Sequence, residues 1–100
     1  MRRLVIKQPA ETFYIGVDFS PVLAEGEGLD QINSEIVAYD STGQDVSTEI
    51  LVNNTMMISD TVLQIKVQGG EVGQRYKVSF RAATNFGNLY EEDIWLLIRD

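Results

Sequence analysis

At 100 residues the chain has room for one hydrophobic core, because two would each be too small to bury enough surface. Its 44% apolar and 23% charged residues are those of a folded domain, and the absence of cysteine excludes a disulfide framework or a thiolate metal site. A net charge of −7 weighs against nucleic acid and anionic membranes as partners, and the absence of histidine removes the commonest general base and metal ligand. The expectation is a single non-enzymatic domain over residues 1–100, with no catalytic residues, cofactor or metal.

Apolar residues alternate with polar ones in short stretches separated by Gly, Asn, Asp and Ser, the pattern of β-strands. Leu4 to Lys7 reads as the first strand, ended by Pro9. The apolar run after Met1-Arg2-Arg3 is too short for a signal-peptide core. Thr12 to Phe19 is the second strand, with Phe13, Ile15, Val17 and Phe19 on one face. Glu25-Gly26-Glu27-Gly28 is a turn or loop, and Ile32 to Tyr39 is the third strand, closed by the turn signal Asp40-Ser41-Thr42-Gly43. Glu49 to Val52 reads as a short fourth strand, and Met56 to Ile58 as either a strand fragment or a loop plug.

Thr61 to Gln68 alternates clearly, with Leu63, Ile65 and Val67 facing one way. Tyr76 to Thr84 does so more strongly still, through Tyr76, Val78, Phe80 and Ala82. Asn85-Phe86-Gly87-Asn88 is a hairpin turn, and Leu89 to Arg99 returns as the last strand. About seven antiparallel strands with turns roughly every ten residues predict an all-β sandwich of immunoglobulin-like class.

The most specific local signal for that class is Gly73-Gln74-Arg75-Tyr76-Lys77-Val78. In immunoglobulin-like sandwiches a Tyr near the start of the sixth strand turns its hydroxyl back onto the preceding corner, and the residue two positions on faces the core. Gly73, Tyr76 and Val78 are the candidate corner.

Two blocks of the chain resemble small bacteriophage virion proteins of immunoglobulin-like fold, the fibre-tail adaptor and related tail and neck structural proteins. The first is Lys7-Gln8-Pro9 with Tyr14-Ile15-Gly16-Val17-Asp18-Phe19-Ser20, then Leu23. The second runs from Gly69-Gly70-Glu71-Val72-Gly73 through Val78 to Ala82, Thr84 and Gly87. The chain departs from that pattern in the longer loop Ala24 to Gln31 and in Met56-Met57-Ile58. The resemblance implies a non-enzymatic phage or prophage protein at the neck, tail or tail-fibre attachment region. Its partners would be other virion proteins, a homo-oligomer or ring among the options, and its assembly would take place in the bacterial cytoplasm. The alternative is a carbohydrate-binding or adhesion module, using exposed Tyr39, Phe86, Tyr90 and Trp95.

Carboxylates are the available acid–base groups, but a sandwich this small leaves little room for a glycosidase cleft. Glu25, Glu27 and Asp30 make the best case for calcium, yet the spacing is not that of the twelve-residue calcium loop, and plain surface is the expected reading. Gly69 to Gly73 precedes a strand rather than the helix a phosphate cradle needs. Asn53-Asn54-Thr55 is read as a chance match to a glycosylation site.

The last strand carries the anomaly. Ile94-Trp95-Leu96-Leu97-Ile98 is apolar on both faces, where a sandwich strand needs one wet face. With Ile94, Leu96 and Ile98 in the core, Trp95 and Leu97 point outward. Tyr90, Trp95 and Leu97 are then the candidate interface, unless the long loop or the Met56 to Ile58 segment covers them.

Overall fold

A computed structural model describes residues 3–100; Met1 and Arg2, read above as the start of the single domain, lie outside the described residues. The strands are β1 (Arg3–Lys7), β2 (Phe13–Asp18), β3 (Leu29–Tyr39), β4 (Met57–Ser59), β5 (Val62–Val67), β6 (Arg75–Thr84) and β7 (Leu89–Ile98). They form a four-stranded sheet in the order β1-β7-β6-β3 and a three-stranded sheet in the order β2-β5-β4, packed as a sandwich. Strands two, five and four against three, six and seven is the division that immunoglobulin-like sandwiches make between their B, E, D and C, F, G strands.

The alternating positions fill the space between the sheets. Val17, Leu63, Ile65 and Val67 come from one side, and Val78, Phe80, Ala82, Ile94, Leu96 and Ile98 from the other, all in one buried cluster. Each large side chain among them contributes ~1.5–3 kcal/mol on leaving water.

Three local expectations are corrected. Glu49 to Val52 is not a strand: residues 47–50 form a single helical turn, α1 (Ser47–Ile50), and only Leu51 bridges to Val67. The cause is local side-chain bonding, since the Asp45 carboxylate accepts hydrogen bonds from both the backbone N–H and the hydroxyl of Ser47, at 2.9 and 2.6 Å. That turn drops Ile50 into the core as a plug. The third strand begins at Leu29 rather than Ile32, and its register with β6 shifts between Asp30 and Glu35. In that bulge the Asp30 carboxylate takes the N–H of Ile32 and the side-chain amide of Asn33, which leaves Ile32 92% exposed.

The third correction concerns direction. β1 pairs with β7 in parallel, from Arg3 opposite Ile94 to Lys7 opposite Ile98, while the other strand pairs are antiparallel. The first strand has therefore joined the sheet of the last one, and the Arg99 N–H closes the pair onto the Lys7 carbonyl at 2.8 Å.

The end of β1 is held from inside. Lys7 points into the sandwich and is fully buried, with its ammonium donating to the carbonyls of Gln8 (2.7 Å), Pro9 (3.2 Å) and Gly69 (2.7 Å). Burial pushes its pKa down, with the Glu11 carboxylate opposing more weakly. Gly69 begins the corner that leads into β6. There Gly73 adopts φ +84° and donates its N–H to the Ile98 carbonyl at 2.8 Å. The Tyr76 hydroxyl reaches back to accept the Glu71 N–H at 3.0 Å, and Val78, two residues on, is fully buried. The corner sets the height at which β6 enters the sheet, and so the register of every side chain it shows to solvent.

Candidate functional site

Opposed residues of neighbouring strands share a face, so the registers define rows across the outer surface of the four-stranded sheet. Nearest the corner, Ile6, Leu97 and Arg75 stand in line. In the next row are Leu4, Trp95, Lys77 and Tyr39, one from each strand. Beyond them Asp93 lies beside Ser79, and further still Glu91, Arg81 and Glu35 stand together. The face thus grades from apolar through aromatic and cationic to ion-paired.

The ion-paired end is closed on itself. Arg81 donates to Glu91 and to Glu35, each at 2.8 Å, and to the Tyr39 hydroxyl at 2.9 Å; these partners, Glu35 foremost, raise its already high pKa. Ser79 is buried and donates to the Asp93 carboxylate at 2.8 Å.

At the other end the bonding is open. Leu4 is 57% and Ile6 54% exposed, and Trp95 and Leu97 beside them are half-buried. The Arg75 guanidinium lies 5.9 Å from the centre of the Trp95 ring, and the Lys77 ammonium 5.4 Å from that of Tyr39. Neither segment suggested above as a cover reaches Trp95. Met57–Ser59 is β4, in the opposite sheet. Of the Ala24 to Gln31 segment, Leu29 onward belongs to β3, and the part before it docks on the β6–β7 turn, six residues along β7 and on the order of 20 Å from Trp95.

That loop departs from plain surface. Glu27 is buried: its carboxylate accepts the Ala24 N–H (2.9 Å), the Thr84 hydroxyl (2.7 Å) and the Asn88 side-chain amide (2.9 Å). These bonds, the Ala24 N–H foremost, hold its pKa below the ordinary glutamate value. Asn85 adds two more ties, accepting the Gly28 N–H and donating to the Gly26 carbonyl. With its oxygens committed to these donors, Glu27 acts as a clasp between loop and hairpin.

Of the three candidate interface residues, the fold brings Trp95 and Leu97 together and separates Tyr90 from them. Tyr90 stands opposite the fully buried Ala82 and packs half-buried against the core, on the other face of β7. Phe86, 54% exposed, is on the β6–β7 turn with the clasp. Leu4 and Ile6 complete the apolar patch without having been singled out from the sequence. Their signal was available: Leu4-Val5-Ile6, like Ile94 to Ile98, is apolar without a break.

Among the described residues no helix is long and apolar enough to cross a membrane. A family model described as podophage GP4 fiber-tail adaptor protein gp77 matches residues 7–97. No curated protein matches the chain.

Proposed function

The chain belongs to the podophage fiber-tail adaptor family, and from that premise we propose that this structural tail-attachment component of the virion, acting as a single domain, grips its neighbour through the β1–β7 end of the four-stranded sheet. The observation that carries the proposal is the in-register patch of exposed Leu4 and Ile6 beside half-buried Trp95 and Leu97. A contiguous apolar patch that contains the Trp and is bordered by Arg75 and Lys77 has the composition of an interface core with a charged rim. Among the described residues the outer face of the opposite sheet sets its apolar side chains apart: Tyr14 is capped by Lys66, Gly16 intervenes between it and Asp18, and Met57 stands opposite Gln64. A binding role calls for no catalytic group, and a chain without cysteine needs no oxidising compartment, in keeping with assembly in the bacterial cytoplasm. If copies of the chain form a ring, the patch meets a different face of the next copy, since closed rings use head-to-tail contacts.

Complementation tests the reading. Phage lacking the gene is supplied with the Ile6→Glu, Leu97→Glu double variant, whose altered side chains lie outside the core but face each other across β1 and β7, so its circular dichroism spectrum and unfolding midpoint are measured first to establish that it is folded. Particles that lack fibres are the expected result, because each substitution places an unpaired charge in a dry contact. Normal fibre attachment by the folded double variant overturns the proposal.

A further inference from the structure

Beside the apolar patch, a groove of about 700 Å³ runs between β6 and the turn at residues 40–43 that follows β3. Arg75, Lys77 and Trp95 line it on the side of the patch, and Arg81, bonded to Tyr39 and Glu91, lines it beyond them. Resting on the reading of this face as the attachment surface, we propose that the groove takes an extended acidic segment of the partner protein, with carboxylates two residues apart.

The charges around the groove favour an anionic occupant. The chain carries 15 acidic and 8 basic residues, yet among the described residues Arg75 and Lys77 have no carboxylate within 4.0 Å, the only salt bridges being those of Arg81. The acids that border the groove are spent elsewhere. Asp40 turns back to accept hydrogen bonds from Thr42 and Gln44, and Glu91 is held by Arg81. In a chain with acid to spare, two adjacent cations rest on aromatic rings and keep their charge available for an anion from outside.

The spacing of the two cations favours an extended one. Arg75 and Lys77 are alternate residues of one strand, so their side chains leave the same face about 7 Å apart. An extended peptide lying along β6 repeats its own side chains at that interval. Glutamates at positions i and i+2 meet both cations at once, whereas adjacent glutamates point to opposite sides and only one can engage.

Trp95 is the chain's single tryptophan, so intrinsic fluorescence reports on the groove. The probes are two capped pentapeptides of one composition, Thr-Glu-Thr-Glu-Thr and Thr-Thr-Glu-Glu-Thr, titrated at low salt with calorimetry in parallel. Saturable binding of the alternating peptide is expected, with the adjacent form at least about threefold weaker. Arg75→Gln, Lys77→Gln weakens it about tenfold by calorimetry, 0.5 M salt weakens it likewise, and Lys66→Gln on the opposite sheet leaves it unchanged. Equal affinity for the two peptides, or binding indifferent to the double variant, overturns the proposal. So does saturation by sialyllactose with no response to either peptide, which assigns the groove to an acidic glycan. Failure here alongside fibreless Ile6→Glu, Leu97→Glu particles removes the acidic segment and leaves the attachment face standing; normal fibres on those particles remove the face itself.

Discussion

Gly70→Ala lowers the stability of the domain by about 3 kcal/mol, measured as a fall in the urea midpoint without a change in slope. Two costs add. Gly70 holds φ +93°, a conformation in which an L-side chain costs ~1–2 kcal/mol. A β-carbon there stands 2.6 and 2.7 Å from the Cγ1 and Cδ1 of Ile98 and 3.3 Å from the Tyr76 ring, and overpacking of this kind adds ~1–3 kcal/mol. Ile98 has nowhere to go, because it is fully buried in the core opposite Lys7. Gly28→Ala is the matched control: its φ is not positive and a β-carbon meets nothing within 4 Å, so its midpoint stays within ~0.5 kcal/mol of the parent. A Gly70→Ala midpoint equal to that of Gly28→Ala contradicts the packing described for the corner.

Lys7→Met lowers stability by about 2 kcal/mol at neutral pH. It strands the carbonyls of Gln8, Pro9 and Gly69, each loss being worth ~1 kcal/mol or more, and regains part of this by removing the desolvated charge. The sign of the pH dependence separates this account from loss of packing alone. Burial depresses the folded-state pKa of Lys7 below its unfolded value of about 10.4, so between the two values the unfolded chain binds more protons. Stability attributable to Lys7 therefore rises with pH through that window and levels off above the unfolded value. Parent minus variant, followed by denaturant titration from neutral pH to about pH 10.5, grows as pH rises. A difference that is flat or shrinks with pH contradicts a buried, charged Lys7.

Much of the scaffold is legible from single residues. β5 and β6 alternate so regularly that Leu63, Ile65 and Val67, or Val78, Phe80 and Ala82, identify their inner faces unaided, and all are buried. Trp95 and Leu97 stand out because β7 is apolar on both faces, and parity alone tells which of its residues leave the core. Parity also separates Tyr90 from them, since five positions along a strand reverse the face. What local pattern does not carry is which strands become neighbours. The parallel pairing of β1 with β7 places Leu4 beside Trp95 and Ile6 beside Leu97, and nothing in either segment alone encodes that meeting.

The same limit applies to the buried charges. Lys7 reads as the polar end of a strand and Glu27 as loop surface, but each is aimed inward by donors or acceptors contributed from far along the chain, Gly69 in one case and Thr84 and Asn88 in the other. α1 fails for the opposite reason. Glu49 to Val52 has strand-like composition, and a bond two residues long, from Asp45 to Ser47, overrides it.

On the proposed reading, this adaptor family member attaches through the β1–β7 end of the four-stranded sheet. Site-specific photo-crosslinking in assembled particles tests it most directly, with the reactive side chain placed at Leu97 or Ile6 on that face, or at Met57 on the opposite sheet. Adducts between the chain and another virion protein are expected from positions 97 and 6, and none from position 57. Adducts from position 57 alone, in particles that carry their fibres, contradict it.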